Sequence, residues 1–188
     1  MITTNSREIH EKLCRLRTHG ITRDAQNRPS SRKFSWYYEK LELGNHYRMT
    51  EIQAALGRSQ LKRIKEFHTE REKIAACYTK QLRPVPLDLP RLTQGARSSW
   101  HLYPVCVRGD ENLRNKVMGR LHRAGVMANV HYLPIPQFRF YKKRTGQKYM
   151  PCPQAEKFSR TEISLPIFPG MKKKVIQRVV DVLGTILR

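Results

Sequence analysis

The sequence lacks long apolar runs, a secretion signal and clustered cysteines. No apolar stretch in the 188 residues approaches the roughly eighteen that a membrane span requires, and the N-terminus carries no apolar signal core. The four cysteines are widely spaced and form neither a CxxC pair nor a cluster with histidine, so they predict no metal site and no disulfide framework. We therefore expect a cytoplasmic protein with no membrane association and four reduced thiols.

Acidic residues are scarce as well. Fifteen Asp and Glu stand against 37 Lys and Arg, which gives a formal net charge of +22 and favours nucleic acid as a partner. The basic residues are nevertheless spread along the whole chain, and the densest runs, at 142–144 and 172–174, are three residues long. No RNP, KH, zinc-finger or homeodomain pattern is present. Nucleic-acid binding is therefore not expected as the main role, although some attraction to polyanions is.

The first 49 residues mix one helical pattern with a long irregular segment. The opening "MITTN" reads as the end of a short strand that runs into a helix over 7–17, and Gly20 is a natural stop for that helix. Residues 21–43 show no sustained period and predict a long excursion, which is typical of a mobile segment or of a site cover. Thr50 and Gln53 then match a capping box, and apolar residues recur at helical spacing as far as Leu82.

Strands and helices alternate in the rest of the chain. "SSWHLYPVCV" and "VMANVHY" predict strands, and between them "DENLRNKVMGRLHRAG" predicts a helix that Asp110 caps and Gly125 closes. A short helix, an extended piece and a closing amphipathic helix follow, so the fold class is α/β (α+β). We predict a first region at 1–49, a long linking helix at 50–83 and a small α/β domain at 84–188.

Five phrases then carry a family resemblance, in the order "LRTHG", "LELGNHYRMTEIQAALGRSQL", "SSWHLYPV", "VHYLPIPQFRFYKK" and "EISLPIFPGM". Together they resemble the DegT/DnrJ/EryC1/StrS sugar aminotransferases, which are pyridoxal phosphate (PLP) enzymes of fold type I. The "VHYLPIPQFRFYKK" phrase is similar to the branch that aminates a UDP-4-keto-6-deoxy-N-acetylhexosamine on the route to pseudaminic acid. The resemblance implies a nucleotide-sugar substrate, PLP as cofactor and glutamate as amino donor.

The resemblance also implies that this chain is the C-terminal half of such an enzyme. In the family, a phrase like "MITTN" closely follows the lysine that forms the Schiff base with PLP, so that lysine is expected upstream of Met1 and no catalytic residue is expected here. The chain alone would then bind PLP weakly or not at all and show no turnover. Two alternatives stay open: half of a split enzyme that is active with a separate N-terminal half-chain, or a basic protein that keeps the fold and binds RNA or another anion.

The candidate cofactor-binding residues are Asn45, His46 and Arg48 in "GNHYRM". The family works as homodimers with active sites at the interface, and the resemblance implies that these residues approach the phosphate of the partner subunit's PLP. An amide or imidazole donor and a guanidinium fork suit a phosphate. The alternative is a turn leading into a helix, with Arg48 paired to Glu51.

The candidate substrate-binding residues follow a predicted strand. By resemblance, His131 and Tyr132 line the sugar-nucleotide pocket, and Phe140 and Tyr141 cover the substrate. Without the resemblance, a lone histidine at such a position is more often structural or merely exposed.

A last expectation concerns residues 1–49, which the resemblance implies are a remnant of the large PLP-binding domain and would pack on the rest of that domain. We expect disorder or aggregation over residues 1–45, with its apolar side chains partly exposed. These side chains are Leu13, Leu16, Phe34, Trp36 and Tyr37.

Overall fold

The computed structural model describes residues 2–23, 34, 36–144 and 151–187. The chain divides into two compact units, Met1–Lys62 (unit 1) and Arg63–Arg188 (unit 2). No helix in the described part of the chain is long and apolar enough to cross a membrane. The cytoplasmic location stays a prediction.

The described residues of unit 1 form two helices and one pair of two-residue strands. Helix α1, Arg7–Leu16, begins after Ser6, whose Oγ accepts the N–H of Ile9 at 3.3 Å. Strands β1, Ile21–Thr22, and β2, Glu39–Lys40, pair antiparallel. Residues 24–33 and 35 of the predicted excursion lie outside the described residues.

The strand predicted for "MITTN" is absent from its described part, residues 2–5, which form no secondary structure. The prediction was therefore wrong for those residues. A strand needs a ladder partner for its backbone groups, and no other described segment pairs with them.

Helix α2, Glu51–Lys62, begins with the predicted capping box. Gln53 N–H reaches Thr50 Oγ1 at 3.3 Å, and Thr50 N–H reaches Gln53 Oε1 at 3.0 Å, so this prediction is confirmed. No residue of α2 is buried, and Ile52 is 83% exposed. The helical spacing of its apolar residues therefore predicts that α2 forms, but none of these residues is buried in a core.

The long predicted helix over 50–83 is observed as two helices. Helix α3, Ile64–Leu82, begins after Arg63, whose backbone (φ −97°, ψ 0°) leaves the α conformation. The guanidinium of Arg63 pairs with Glu66 at 3.2 Å and lies 4.6 Å from the centre of the Phe67 ring, so its side chain belongs to the start of α3. The predicted domain bounds stay a prediction.

Unit 2 is built on a three-stranded antiparallel sheet in the order β3-β4-β5. Its strands are Leu87–Asp88 (β3), Tyr103–Val107 (β4) and Glu162–Leu165 (β5). Its helices besides α3 are Glu111–Arg123 (α4), Arg139–Arg144 (α5), Pro153–Thr161 (α6) and Lys173–Leu187 (α7). Every second residue of β4 points into one apolar core; these residues are Tyr103, Val105 and Val107. Side chains from α3, α4 and α7 complete that core.

Helix α4 has the predicted bounds and caps. Asp110 accepts the N–H of Leu113 at 2.8 Å, and Gly125 closes the helix with φ +76°. Both caps act locally, which is why the sequence alone predicts them.

The strand predicted for "VMANVHY" is reduced to one bridge, between Asn129 and Ser164 of β5. The next two backbone donors are taken by side chains: Val130 N–H bonds Asn129 Oδ1 at 2.8 Å, and His131 N–H bonds Glu162 Oε2 at 2.9 Å. Because side chains accept the N–H groups of Val130 and His131, these groups do not pair with a neighbouring strand. The prediction of a strand here was therefore wrong.

Candidate functional site

The first candidate site joins two segments of unit 1 that are distant in sequence. Thr18 and His46 form an isolated antiparallel bridge. His19 N–H donates to Asn45 O at 3.0 Å, Asn45 N–H donates to Leu16 O at 2.8 Å, and Tyr47 N–H donates to Arg17 O at 2.9 Å. The phrases "LRTHG" and "GNHYRM" therefore lie side by side.

Two glycines permit this approach. Gly20 has φ +70°, and a Cβ there would lie 1.9 Å from Glu42 O. A Cβ on Gly44 would lie 2.2 Å from Gly20 N, which is far inside contact distance. The two positions thus require glycine for sequence segments some twenty residues apart to meet.

His46 and Arg48 are in direct contact. Arg48 Nη2 lies 2.7 Å from His46 Nε2. A guanidinium can only donate, so Nε2 accepts in this contact, and Nδ1 is the ring nitrogen that can donate to a ligand. The rings of His19 and His46 lie 5.2 Å apart. We name His19, Asn45, His46 and Arg48 the histidine–arginine cluster.

The cluster faces solvent with its donors available. The side chains of Asn45, His46 and Arg48 are exposed, and no ion pair between Arg48 and Glu51 exists among the described residues. His19 was missed by sequence reasoning, although its place directly before a glycine with positive φ in a quoted phrase was an available signal. The arrangement can bind an oxyanion through guanidinium, amide and imidazole N–H groups.

The second candidate site lies in unit 2 and contains Glu162. This residue of β5 is fully buried, and its carboxylate accepts the N–H of His131 at 2.9 Å and the hydroxyl of Ser164. With the bridge between Asn129 and Ser164, these bonds hold residues 129–132, which we name the His131 segment.

His131 and Tyr132 differ in how far their side chains are exposed to solvent. The His131 ring is half-buried, and its Nδ1 is enclosed without a hydrogen-bond partner in the described part of the chain. Tyr132 is 72% exposed, and the two rings meet edge to face at 4.6 Å across a cis peptide bond.

Phe140 and Tyr141 form a second aromatic pair, on α5, with ring centres 5.2 Å apart in an edge-to-face arrangement. Both are exposed, so their rings are available for stacking. Across the described residues, no three His, Cys, Asp or Glu side chains are grouped as a metal site would require. The roles of the candidate residues stay predictions.

Comparison with known proteins gives a family match over almost the whole chain. The sequence model of the DegT/DnrJ/EryC1/StrS aminotransferase family matches residues 1–184. The UDP-4-amino-4,6-dideoxy-N-acetyl-beta-L-altrosamine transaminase of Helicobacter pylori is 31% identical over 95% of this chain and 45% of its own length. The chain thus spans about half the length of the curated relatives it matches.

Solved structures share the fold. Helicobacter pylori PseC, an aminotransferase involved in the biosynthesis of pseudoaminic acid, has a TM-score of 0.85 at 30% identity, over 98% of this chain and 47% of that one. Spr1654 of Streptococcus pneumoniae, described as a sugar aminotransferase, has a TM-score of 0.85 in its PMP form at 28% identity, over 97% and 46% of the two chains.

Proposed function

Because the chain belongs to the DegT/DnrJ/EryC1/StrS aminotransferase family, we propose that it takes part in aminating a nucleotide-linked keto sugar. The substrate class is a UDP-4-keto-6-deoxy-N-acetylhexosamine, and glutamate is the amino donor. The named activity of the Helicobacter pylori relative supports this class. The structural observation that carries the proposal is the histidine–arginine cluster, which two distant segments build in unit 1.

The cluster fits the phosphate of PLP. Arg48 offers a planar fork of N–H donors for two phosphate oxygens, and Asn45 and His46 add further N–H donors beside it. We propose that the full-length enzyme is a homodimer, as the family resemblance implies, and that the cluster holds the phosphate of the PLP in the partner subunit. When bound, PLP supplies the electron sink that amino transfer needs.

The substrate would meet unit 2. Tyr132, Phe140 and Tyr141 expose aromatic rings that can stack on a sugar or a uracil, and the half-buried His131 offers an imidazole nitrogen. These groups bind and orient the substrate and exclude water from it; none of them is assigned a proton-transfer step.

Turnover is the direct test. The 188-residue chain is mixed with PLP, isotopically labelled glutamate and the UDP-4-keto sugar, with and without a separate chain that matches the other half of the relatives. We expect labelled amino sugar, detected by mass spectrometry, only in the presence of the second chain. A UDP-sugar without the keto group is the substrate control. Absence of product in both mixtures contradicts the proposal, and product from the 188 residues alone contradicts the need for a partner.

Phosphate recognition is tested separately. The 188-residue chain is mixed with the same second chain and titrated with pyridoxamine 5′-phosphate, which unlike PLP forms no imines with surface lysines; pyridoxamine without phosphate is the matched ligand. We expect Arg48→Ala to weaken binding of the phosphorylated probe by roughly tenfold or more, with Arg48→Lys in between. Arg58→Ala, which removes an exposed charge from α2 in the same unit, is the control. Equal losses at Arg48 and Arg58 would mean that only general charge matters.

The net charge of +22 favours a second candidate, a protein that binds RNA or another polyanion. Lys142, Lys143 and Arg144 are all exposed at the end of α5. A salt titration of binding to random RNA separates the two functions. Affinity that persists at physiological salt supports the second candidate, and its disappearance there leaves only non-specific attraction.

A further inference from the structure

We propose that Glu162 is a positioning residue for nucleotide-sugar binding: its buried carboxylate sets the backbone of the His131 segment and thereby the placement of His131 and Tyr132. This inference rests on the proposed function. Glu162 touches neither cofactor nor substrate in it, and it acts only through the His131 segment.

The first argument is the cost of burying this carboxylate. Glu162 has no exposed surface and makes no ion pair within the described part of the chain. A carboxylate in such a place is unfavourable unless hydrogen bonds satisfy it, and an apolar residue of similar volume would fill the position at lower cost. The benefit must therefore lie in what the carboxylate holds, namely the backbone N–H of His131 and the hydroxyl of Ser164.

The second argument is the conformation that results. On the side of β5 away from β4, the bridge between Asn129 and Ser164 is the one backbone pairing that the described residues show. One residue further on, Val130 N–H turns to the side chain of Asn129, and two residues further on His131 N–H is taken by Glu162. The segment leaves the sheet there instead of continuing as a strand. Tyr132 becomes exposed while the His131 ring stays half-buried against it.

The third argument concerns the His131 ring. Its Nδ1 is enclosed and has no hydrogen-bond partner in the described residues, so the ring is left with Nε2 as the nitrogen for a ligand. Moving the backbone of residue 131 would move this nitrogen and the Tyr132 ring together. A sub-ångström displacement is sufficient to weaken a hydrogen bond to a sugar nucleotide.

The experiment compares Glu162→Gln with Glu162→Leu in the full chain. Glutamine keeps a carbonyl oxygen for the N–H of His131 and an amide that can donate to Ser164, whereas leucine fills the volume and offers no acceptor. Residue-resolved amide exchange by NMR follows the His131 N–H, and a titration with UDP-N-acetylglucosamine, a stable probe, gives the dissociation constant. Val105→Ala is the control for lost stability, since Val105 is equally buried in the core and its ladder partner is Ile163 of β5.

We expect Glu162→Leu to speed exchange of the His131 amide by roughly tenfold or more and to raise the dissociation constant by a similar factor, with glutamine close to wild type. Val105→Ala should leave the dissociation constant unchanged. Wild-type exchange or wild-type affinity in Glu162→Leu overturns the inference. If exchange rises as expected but the wild-type chain binds no probe, the proposed substrate site fails, and the positioning role in binding fails with it while the hydrogen bond stands.

Discussion

Among single residues, the two tyrosines in the core of unit 2 link the stability of the fold to alkaline pH. Tyr78 donates its hydroxyl to Pro166 O at 2.9 Å, and the hydroxyls of Tyr103 and Thr79 lie 2.7 Å apart. Burial is the main cause that raises the pKa of both phenols above the ordinary value. The folded chain therefore keeps protons that the unfolded chain releases.

This difference gives the sign of the pH effect. The contribution is fully present below the ordinary tyrosine pKa of about 10 and is lost as pH rises further. We expect the free energy of unfolding, measured in urea, to fall between about pH 9 and pH 11. Tyr78→Phe should flatten the decline at the cost of one buried hydrogen bond. An equally steep decline in that variant would assign the effect to other groups.

The glycine positions of unit 1 lead to a matched pair of substitutions. Gly44→Ala would place a methyl group 2.2 Å from Gly20 N, whereas a Cβ on Gly57 in α2 meets nothing within 4 Å. We expect Gly44→Ala to destabilise unit 1 by roughly 1–3 kcal/mol and to speed exchange of the Asn45 amide. Gly57→Ala should stabilise α2 by about 0.5–1 kcal/mol. Equal effects from both variants would exclude the close approach as the reason for glycine.

Among the elements, α4 shows how a cap creates pH dependence. The pKa of Asp110 is lowered, chiefly because its carboxylate accepts the N–H of Leu113. A lowered pKa means that this contribution is present above the ordinary Asp value and is lost as pH falls through the folded one. We expect Asp110→Ala to lower the melting temperature at pH 7 by a few degrees and to have little effect at strongly acid pH, as measured by circular dichroism. Asp110→Asn should keep most of the cap without the pH dependence. A constant loss across pH in Asp110→Ala would contradict the role of the charged form.

The elements also show how far sequence reasoning reaches. Caps at Thr50 and Asp110 and the ends of α1 and α4 were predicted, because they depend on neighbouring residues. The fold class, the C-terminal part of a fold-type I PLP-dependent transferase, was confirmed. The break at Arg63 and the two-residue strand β3 were missed, since local patterns carry no signal for either.

In the candidate sites too, features that depend on neighbouring residues were predicted, whereas contacts between distant segments were not. Quoted phrases placed Asn45, His46 and Arg48 together in sequence, but the contact of His46 with His19 depends on a bridge between distant segments. Likewise, nothing local to Glu162 indicates that its carboxylate binds the backbone of a residue 31 positions earlier. Partly exposed side chains were predicted before Thr50, and Phe34 and Trp36 are exposed, but Tyr37 is buried, contrary to the prediction.

At the scale of the whole molecule, the two units differ in their cores. The large apolar cluster lies entirely in unit 2, and within the described part of unit 1 Tyr37 is the one buried hydrophobic side chain. We expect unit 1 to unfold at lower urea concentration than unit 2, because less apolar burial opposes its chain entropy. Amide exchange resolved by residue measures this, and limited proteolysis should leave a product that begins near residue 63. A single cooperative transition with uniform protection would contradict the expectation.

The bond between Glu162 and residue 131 has a consequence for how recognition can change. Its donor is a main-chain N–H, so every amino acid except proline at position 131 supplies the same donor. The side chain at position 131 can therefore be exchanged while the hydrogen bond that holds its backbone is retained. If position 131 meets the substrate as we propose, single substitutions there would change which sugar is preferred and leave the backbone of the His131 segment as it is.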